Sequence, residues 1–404
     1  MKKKLFSLMA MAIALASCQN ENLPEGVDQN GEFLMSVSAN VPELVNATRA
    51  VTDATKTNSA LGGLTNVDWE FYDLRYILEV YAVTTEKDAD GNDVEKLTLA
   101  KERQYKVLDN VANGSDWSFQ VRLTHGRNYK FVFWADFVKQ GATDANAPDL
   151  FYNTNADGNG LLADVTFNDV FNRSNVTEAG KYIYLNNEAR DAYFNVTDVE
   201  AKAGMTDAQI TLKRPFGKVR LVTTDAHQLD LGRYAKTIQI DYYSQENVLA
   251  NRPNGINLIT GEPCTNRLEH SYTTTIGEED KTVTNVYTVT LPVAKFYKAG
   301  LDATKGTQTL FVDYIIGEEG DQNPIHFSMT AYDDQNEIIY NYNFATDIPV
   351  QRNYLTTLIG DIFTTPWNIT VKVQDAFDKE LISDEREWDN SSKDQTTWTE
   401  QDPK

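Results

Sequence analysis

The residues that could do chemistry in this chain cluster near its start. Lys2, Lys3 and Lys4 precede an apolar run from Leu5 to Ala16, which closes on Leu15-Ala16-Ser17-Cys18. The run is too short for a bilayer span, which needs about 20 residues, and has secretory-signal proportions. Small residues followed directly by cysteine form the bacterial lipoprotein cleavage pattern. In that pattern the thiol of Cys18 is acylated, residues 1–17 are removed and Cys18 becomes the first residue. Each buried CH₂ of an acyl chain contributes about 0.8 kcal/mol, so a multiply acylated cysteine holds its domain at a membrane. The second point is Arg49, in a segment without periodicity; the next arginine is Arg75. A protease that cuts after arginine needs an extended, accessible segment, and Arg49 offers one. The competing reading is a plain surface linker residue.

Other chemistries find little support. His125, His227, His270 and His326 are far apart, with no His-Glu-x-x-His and no Cys/His cluster at metal spacing. No Gly-x-Ser-x-Gly or phosphate loop is present. The 59 Asp and Glu residues could hide a glycosidase pair, yet nothing singles one out. Asp88 to Asp93 invites a calcium-loop reading. An EF-hand loop starting at Asp88 would need Gly where Asp93 stands and Glu where Leu99 stands, so a hairpin connection is simpler. With Cys18 taken by lipid, Cys264 has no internal disulfide partner. Its only cationic neighbour in sequence is Arg267, which reads as a structural cysteine. The expectation is a protein without metal or cofactor that is not an enzyme.

The formal net charge of −22 becomes −25 once Lys2, Lys3 and Lys4 leave with the signal. Such a chain repels nucleic acid and anionic membrane surfaces, which leaves the lipid as its membrane attachment. A length of 404 residues suits two to three domains. Aromatic residues make up 11%, with abundant Val, Ile and Thr, which favours strands.

The elements that must position Cys18 and Arg49 follow from periodicity. Residues 18–32 read as a polar tether. Phe33, Met35, Val37, Ala39 and Val41 alternate with smaller or more polar residues, the period of a half-buried strand, and Pro42 ends it. Residues 42–64 form the linker that holds Arg49. Leu74 to Thr84 is a strand with Leu74, Tyr76, Leu78, Val80 and Ala82 on one face, and Leu97 to Val107 is its hairpin partner. Trp117 to Leu123 and Tyr129 to Ala135 read as a hairpin around a Gly-Arg-Asn turn. Pro148 to Val170 suggests one helical turn among Gly-rich turns, and Lys295 to Leu301 another. The polar stretch from Thr197 to Ala208 reads as an interdomain joint, with domains at 33–205 and 206–375. A second set of strands starts at Gln209, with Pro215 marking a bulge or edge. It includes a long strand pattern from Ile348 to Thr364 and a final strand from Trp367 to Val373. Residues 376–404 form a polar, acidic tail.

Three segments together resemble the fimbrillin family, the pilus and adhesin subunits of type V pili, in a Bacteroidales-type lipoprotein branch. They are the lipobox with its strand and Arg49; Ile210-Thr211-Leu212-Lys213-Arg214-Pro215-Phe216; and Ile348-Pro349-Val350-Gln351-Arg352-Asn353-Tyr354 through Gly360-Asp361. The resemblance implies a mostly β fold of two tandem transthyretin-like Greek-key β-sandwich domains with few short helices. It implies an outer-membrane lipoprotein lipidated at Cys18 and cut between Arg49 and Ala50 by an arginine-specific protease. Loss of the strand bearing Phe33, Met35, Val37, Ala39 and Val41 then opens a groove that another subunit's terminal strand fills. Implied partners are other pilus subunits and a host or bacterial surface glycan or protein.

The chain departs from that pattern at its end. Ser383 to Lys404 carries only Trp388 and Trp398 among polar residues, a poor donor strand. Trp367, Ile369, Val371 and Val373 are the better candidate donor. The rival reading is a non-polymerising, glycan-binding surface lipoprotein of a polysaccharide-uptake system. Trp117, Trp134, Tyr242 and Tyr243 could stack sugars there, although their strand patterns favour core or hairpin packing.

Overall fold

Alternation of apolar and polar side chains makes nearly every regular element of this chain a strand. The computed structural model describes residues 26–28, 30–40, 72–109, 117–156, 158–168, 176–177, 182–183, 188–225, 237–243, 253–264, 271–276, 279–290, 308–317, 326–332, 335, 337–343, 348–361, 369–374 and 386–387. In chain order the first strands are β1 (Glu32–Asn40), β2 (Tyr72–Lys87), β3 (Asp93–Leu108), β4 (Trp117–Thr124) and β5 (Asn128–Lys139). Short β6 (Tyr152–Asn153), β7 (Val165–Phe167), β8 (Val176–Thr177) and β9 (Tyr182–Ile183) follow, then β10 (Ala192–Glu200) and β11 (Asp207–Thr211). The later part holds β12 (Phe216–Thr223), β13 (Thr237–Tyr243), β14 (Gly255–Ile256), β15 (Ser271–Ile276), β16 (Glu279–Thr290) and β17 (Gln308–Ile316). It ends with β18 (His326–Tyr332), β19 (Ile338–Asn343), β20 (Leu355–Gly360), β21 (Ile369–Gln374) and β22 (Arg386–Glu387). Among the described residues the only helical turns are 3-10, at Gly160–Leu162 and Glu188–Arg190.

The fold is mostly β, of the sandwich class. A three-stranded sheet, β11-β1-β4, and a four-stranded sheet, β10-β5-β2-β3, belong to the first half. Two five-stranded sheets, β17-β12-β20-β21-β22 and β15-β16-β13-β18-β19, belong to the second. The two sheets of the first half meet through one apolar core, in which the Phe119 and Phe133 rings lie 6.0 Å apart.

Several sequence expectations change here. β4 and β5 are not a hairpin: β4 pairs with β1, and β5 with β2 and β10. The turn at Gly126 (φ +77°) carries the chain from one sheet to the other. Both strands have strong inward faces, which two facing sheets bury as well as one hairpin does. The polar stretch from Thr197 to Ala208 is no joint either. β10 runs to Glu200, and β11 pairs in parallel with β1, Ala39 opposite Ile210. The first half's sheet therefore takes in residues as far as Thr211, past the boundary expected at 205. Pro215 lies between β11 and β12, where its missing N–H interrupts no ladder.

Among its described residues, 348–361, the pattern from Ile348 to Thr364 yields only β20. Asn353 takes a left-handed φ of +66°, its N–H donates to the Phe216 carbonyl (2.8 Å) and its Oδ1 accepts the Arg214 N–H (3.0 Å). β2 is buried on both faces from Tyr72 to Tyr81, not on one. One turn of 3-10 helix lies in the Pro148 to Val170 region. Lys295 to Leu301 lies outside the described residues, as does the tail apart from β22.

Candidate functional site

β1 is the middle strand of its sheet. Met35 stands opposite Val121 of β4 and Val37 opposite Phe119, with β4 antiparallel. On the other side β11 runs parallel, with Val37 opposite Ala208. Phe33, Met35, Val37 and Ala39 are all buried in the core, whereas Leu34, between two of them, is 55% exposed. Ser36 and Ser38 share the outer face, and the Ser38 and Ser118 hydroxyls lie 2.6 Å apart. The strand's entry is also tied down. Asp28 Oδ1 accepts the N–H groups of Asn30 and Glu32, and Asp28 Oδ2 lies 2.9 Å from Arg122 Nη1. The Glu32 N–H, joined by the Arg122 charge, holds the Asp28 carboxyl below its ordinary range. Cys18, Val41, Arg49 and Ala50 lie outside the described residues.

The candidate donor segment is placed in part. β21 pairs with β20 along its six residues and with β22 at Lys372 and Val373. Val371 is buried; Trp367 lies outside the described residues.

The outer face of the four-stranded sheet carries a constellation that the sequence reading missed. Arg75 of β2 donates from Nε and Nη2 to both oxygens of Asp136 on β5 (2.8 and 2.7 Å), and its Nη1 lies 2.9 Å from Asp149. Burial works against the Arg75 charge, but the Asp136 and Asp149 carboxylates outweigh it and hold its pKa above the ordinary guanidinium value. Glu79, two turns of the pleat further on, accepts from Arg103 Nε (2.5 Å), the Leu161 N–H (2.8 Å) and the Tyr81 hydroxyl. Arg103 also donates to the Thr154 carbonyl (2.7 Å) and hydroxyl (3.0 Å). These pairs pin residues 147–161 over the sheet. Arg75, Asp136 and Glu79 alternate on strands whose other face is core, so periodicity alone marks them as solvent-facing. The signal against that reading was Trp134 and Asp136 on the same face of β5, where Trp134 is fully buried.

Between β3 and this segment lies an open cleft of about 740 Å³. Its lining includes Tyr105, Asn146, Asn153, Asn155, Asn159 and the Arg75–Asp149 pair. Of the aromatics considered for stacking, Trp134 is core, and Trp117 is 36% exposed with Lys106 Nζ 4.2 Å from its ring centroid. Tyr242 and Tyr243 lie on β13, and their side chains are not among those described. Cys264 is buried and forms no disulfide among the described residues. Among the described residues no helix is long and apolar enough to cross a membrane, and no group of three or more His, Cys, Asp or Glu is placed to hold a metal.

Residues 25–399 match the family described as "Family of unknown function (DUF6562)", and the chain belongs to it. No curated protein matches the chain. Among solved structures it is similar to one described as a candidate adhesin from Bacteroides thetaiotaomicron, at 11% identity over 84% of this chain and 95% of that one, with a TM-score of 0.36. A fimbrial assembly protein from Parabacteroides distasonis gives 11% identity, 85% and 95% coverage and a TM-score of 0.32. Candidate polysaccharide binding proteins from Bacteroides thetaiotaomicron give 11%, 87% and 98%, and 0.36.

Proposed function

We propose that this member of the DUF6562 family is a lipid-anchored fimbrial subunit or adhesin of the cell surface, assembled by protease-triggered strand exchange. The observation that supports it is the place of β1. It is the centre of a three-stranded sheet, and the chain reaches β2 only through the segment that holds Arg49. A cut between Arg49 and Ala50 would leave β1 held by non-covalent contacts alone. Its release would open a groove flanked by two strand edges, β4 and β11, each with unpaired backbone groups. Burying Phe33, Met35 and Val37 stabilises by about 1.5–3 kcal/mol each. A replacement strand recovers that only by presenting apolar residues at the same alternation. Trp367, Ile369, Val371 and Val373 have that alternation. Donation by β21 first requires breaking its pairing with β20, with only the short β22 on its outer side. Acylation of Cys18 would place the subunit at the outer membrane, with an arginine-specific protease and further subunits as partners.

The experiment is limited digestion of the mature chain at low dose with an arginine-specific protease, because trypsin would also cut after Lys56 in the same linker. A single clip after Arg49, loss of the β1 peptide and growth of multimers by size exclusion are expected, with Arg49→Ala uncut and monomeric. A clipped chain that releases β1 yet stays monomeric would sink strand exchange. The second reading, a non-polymerising glycan-binding surface lipoprotein, is favoured by the amide-lined cleft over the four-stranded sheet.

A further inference from the structure

We propose that the cleft between β3 and residues 144–163 is a binding site for a neutral saccharide. Its volume of about 740 Å³ falls within the range of small-molecule sites, roughly 300–1,000 Å³. The chemistry of its lining narrows the ligand. Asn146, Asn153 and Asn159 stand exposed at the cleft, and a side-chain amide carries both donors and an acceptor. Hydroxyl groups are likewise donor and acceptor at once, so a polyhydroxylated ligand matches an amide-rich wall. Asn153 uses its Oδ1 on the Asn155 N–H (3.0 Å), so its NH₂ is the group it would offer a ligand. Asn159 precedes the 3-10 turn yet makes no capping hydrogen bond. Half-buried Tyr105 adds a ring to this polar wall.

Charge argues against an anionic ligand. The Arg75 guanidinium at the floor is engaged by Asp136 and Asp149, and Asp149 also accepts the Thr154 N–H (2.7 Å). An anion would have to displace a carboxylate from a buried pair, and the whole chain is already at −22. The same pairs preorganise the wall. Arg103 on the Thr154 carbonyl, the Leu161 N–H on Glu79 and Asn155 Nδ2 on the Asp164 carbonyl (2.9 Å) hold its shape before any ligand arrives. Buried ion pairs add little net stability, so what they supply here is a fixed geometry. Ordering costs that a flexible loop would incur on binding are thereby avoided. Long ordered segments with little regular structure in compact domains are commonly functional.

The proposal supplies an adhesion ligand for the surface reading above and rests on it for its setting, but the two are measured separately. The uncut chain is titrated calorimetrically with neutral glucan, mannan and xylan oligosaccharides, and with oligogalacturonate as the anionic control. At least one neutral oligosaccharide should bind, and Asn146→Ala/Asn159→Ala should weaken it about thirtyfold, two lost hydrogen bonds of about 1 kcal/mol each. The melting temperature of the double variant should match the parent. Absence of binding across the panel, unchanged affinity in the double variant, or preference for oligogalacturonate would overturn the proposal. Multimer growth after arginine-specific cleavage would be untouched by any of these results.

Discussion

Arg190 Nη1 lies 3.0 Å from Asp313 Oδ1, and both side chains are essentially fully buried. Arg190 ends the 3-10 turn before β10, and Asp313 lies in β17, so the pair ties the first half of the chain to the second. An aromatic series runs beside it: Trp134 to Tyr152 (5.1 Å), Tyr152 to Phe216 (5.9 Å) and Phe216 to Tyr314 (5.6 Å) between ring centroids. Arg214 and Asp191, 2.7 Å apart, add a second buried pair at this junction.

Replacing Arg190 by Met removes the guanidinium 3.0 Å from the buried Asp313 carboxylate, and breaking a buried pair by removing one member costs about 3–5 kcal/mol. Urea unfolding should show the midpoint fall, and Arg190→Met/Asp313→Leu should recover much of the loss. A single variant as stable as the parent would show that the junction does not depend on this pair.

Adjacent residues of β1 should respond very differently. Met35→Ala removes a fully buried side chain and should cost about 2–5 kcal/mol. Leu34→Ala, on the exposed face, should stay within about 0.5 kcal/mol. Comparable losses at both positions, read from denaturant midpoints, would contradict the burial of this strand.

Asp73 introduces a pH dependence of definite sign. Burial pushes its carboxyl up to about 6, against the Gly141 N–H that it accepts at 2.8 Å and with the Asp109 charge adding to the rise. The folded pKa thus exceeds the ordinary value of about 3.9. The folded state binds the extra proton between those values, so this contribution is present at low pH and is lost as pH rises through about 6. Asp73→Asn should melt higher than the parent above pH 6 or so, with the gap closing towards pH 4. A gap that is constant with pH would show that Asp73 titrates normally.

Gly160 sits at φ +63°, where a Cβ would come within 2.5 Å of Glu79 Oε1. Gly160→Ala should therefore lose about 1–2 kcal/mol from the backbone conformation alone, with more from displacing Glu79. Hydrogen exchange should quicken at Leu161, whose N–H Glu79 accepts. Gly158→Ala, with its nearest atom at 3.9 Å and no positive φ, is the matched control and should change little.

Much was legible in the chain before any coordinates. Strict alternation from Phe33 to Ala39 identifies both the strand β1 and its buried face, because a period of two allows only one register with the core. The same period places β21 within a few residues, at Ile369–Gln374 against the expected Trp367 to Val373. Asp88 to Asp93 is legible as a hairpin turn, since Asp88 Oδ1 accepts the Asp90 and Asn92 N–H groups as an Asx turn does.

What periodicity leaves open is which strands pair and whether a second face is covered. β4 and β5 read as neighbours because they are close in sequence, yet they lie in different sheets. β11 lies far from β1 in sequence but completes its sheet, a non-local pairing with no local signature. Asp73, Arg75 and Glu79 look solvent-facing because charge in a strand ordinarily points to water. The segment from Ala147 to Leu161 covers Arg75 and Glu79, and each of these two charges is met by a partner from that segment or from a neighbouring strand, whereas Asp73 accepts the Gly141 N–H. Local sequence thus determined the strands and their apolar faces, since side-chain direction depends only on the backbone period. Tertiary structure alone decided the middle place of β1 and the paired charges beneath the cleft, because both depend on contacts between segments distant in the chain.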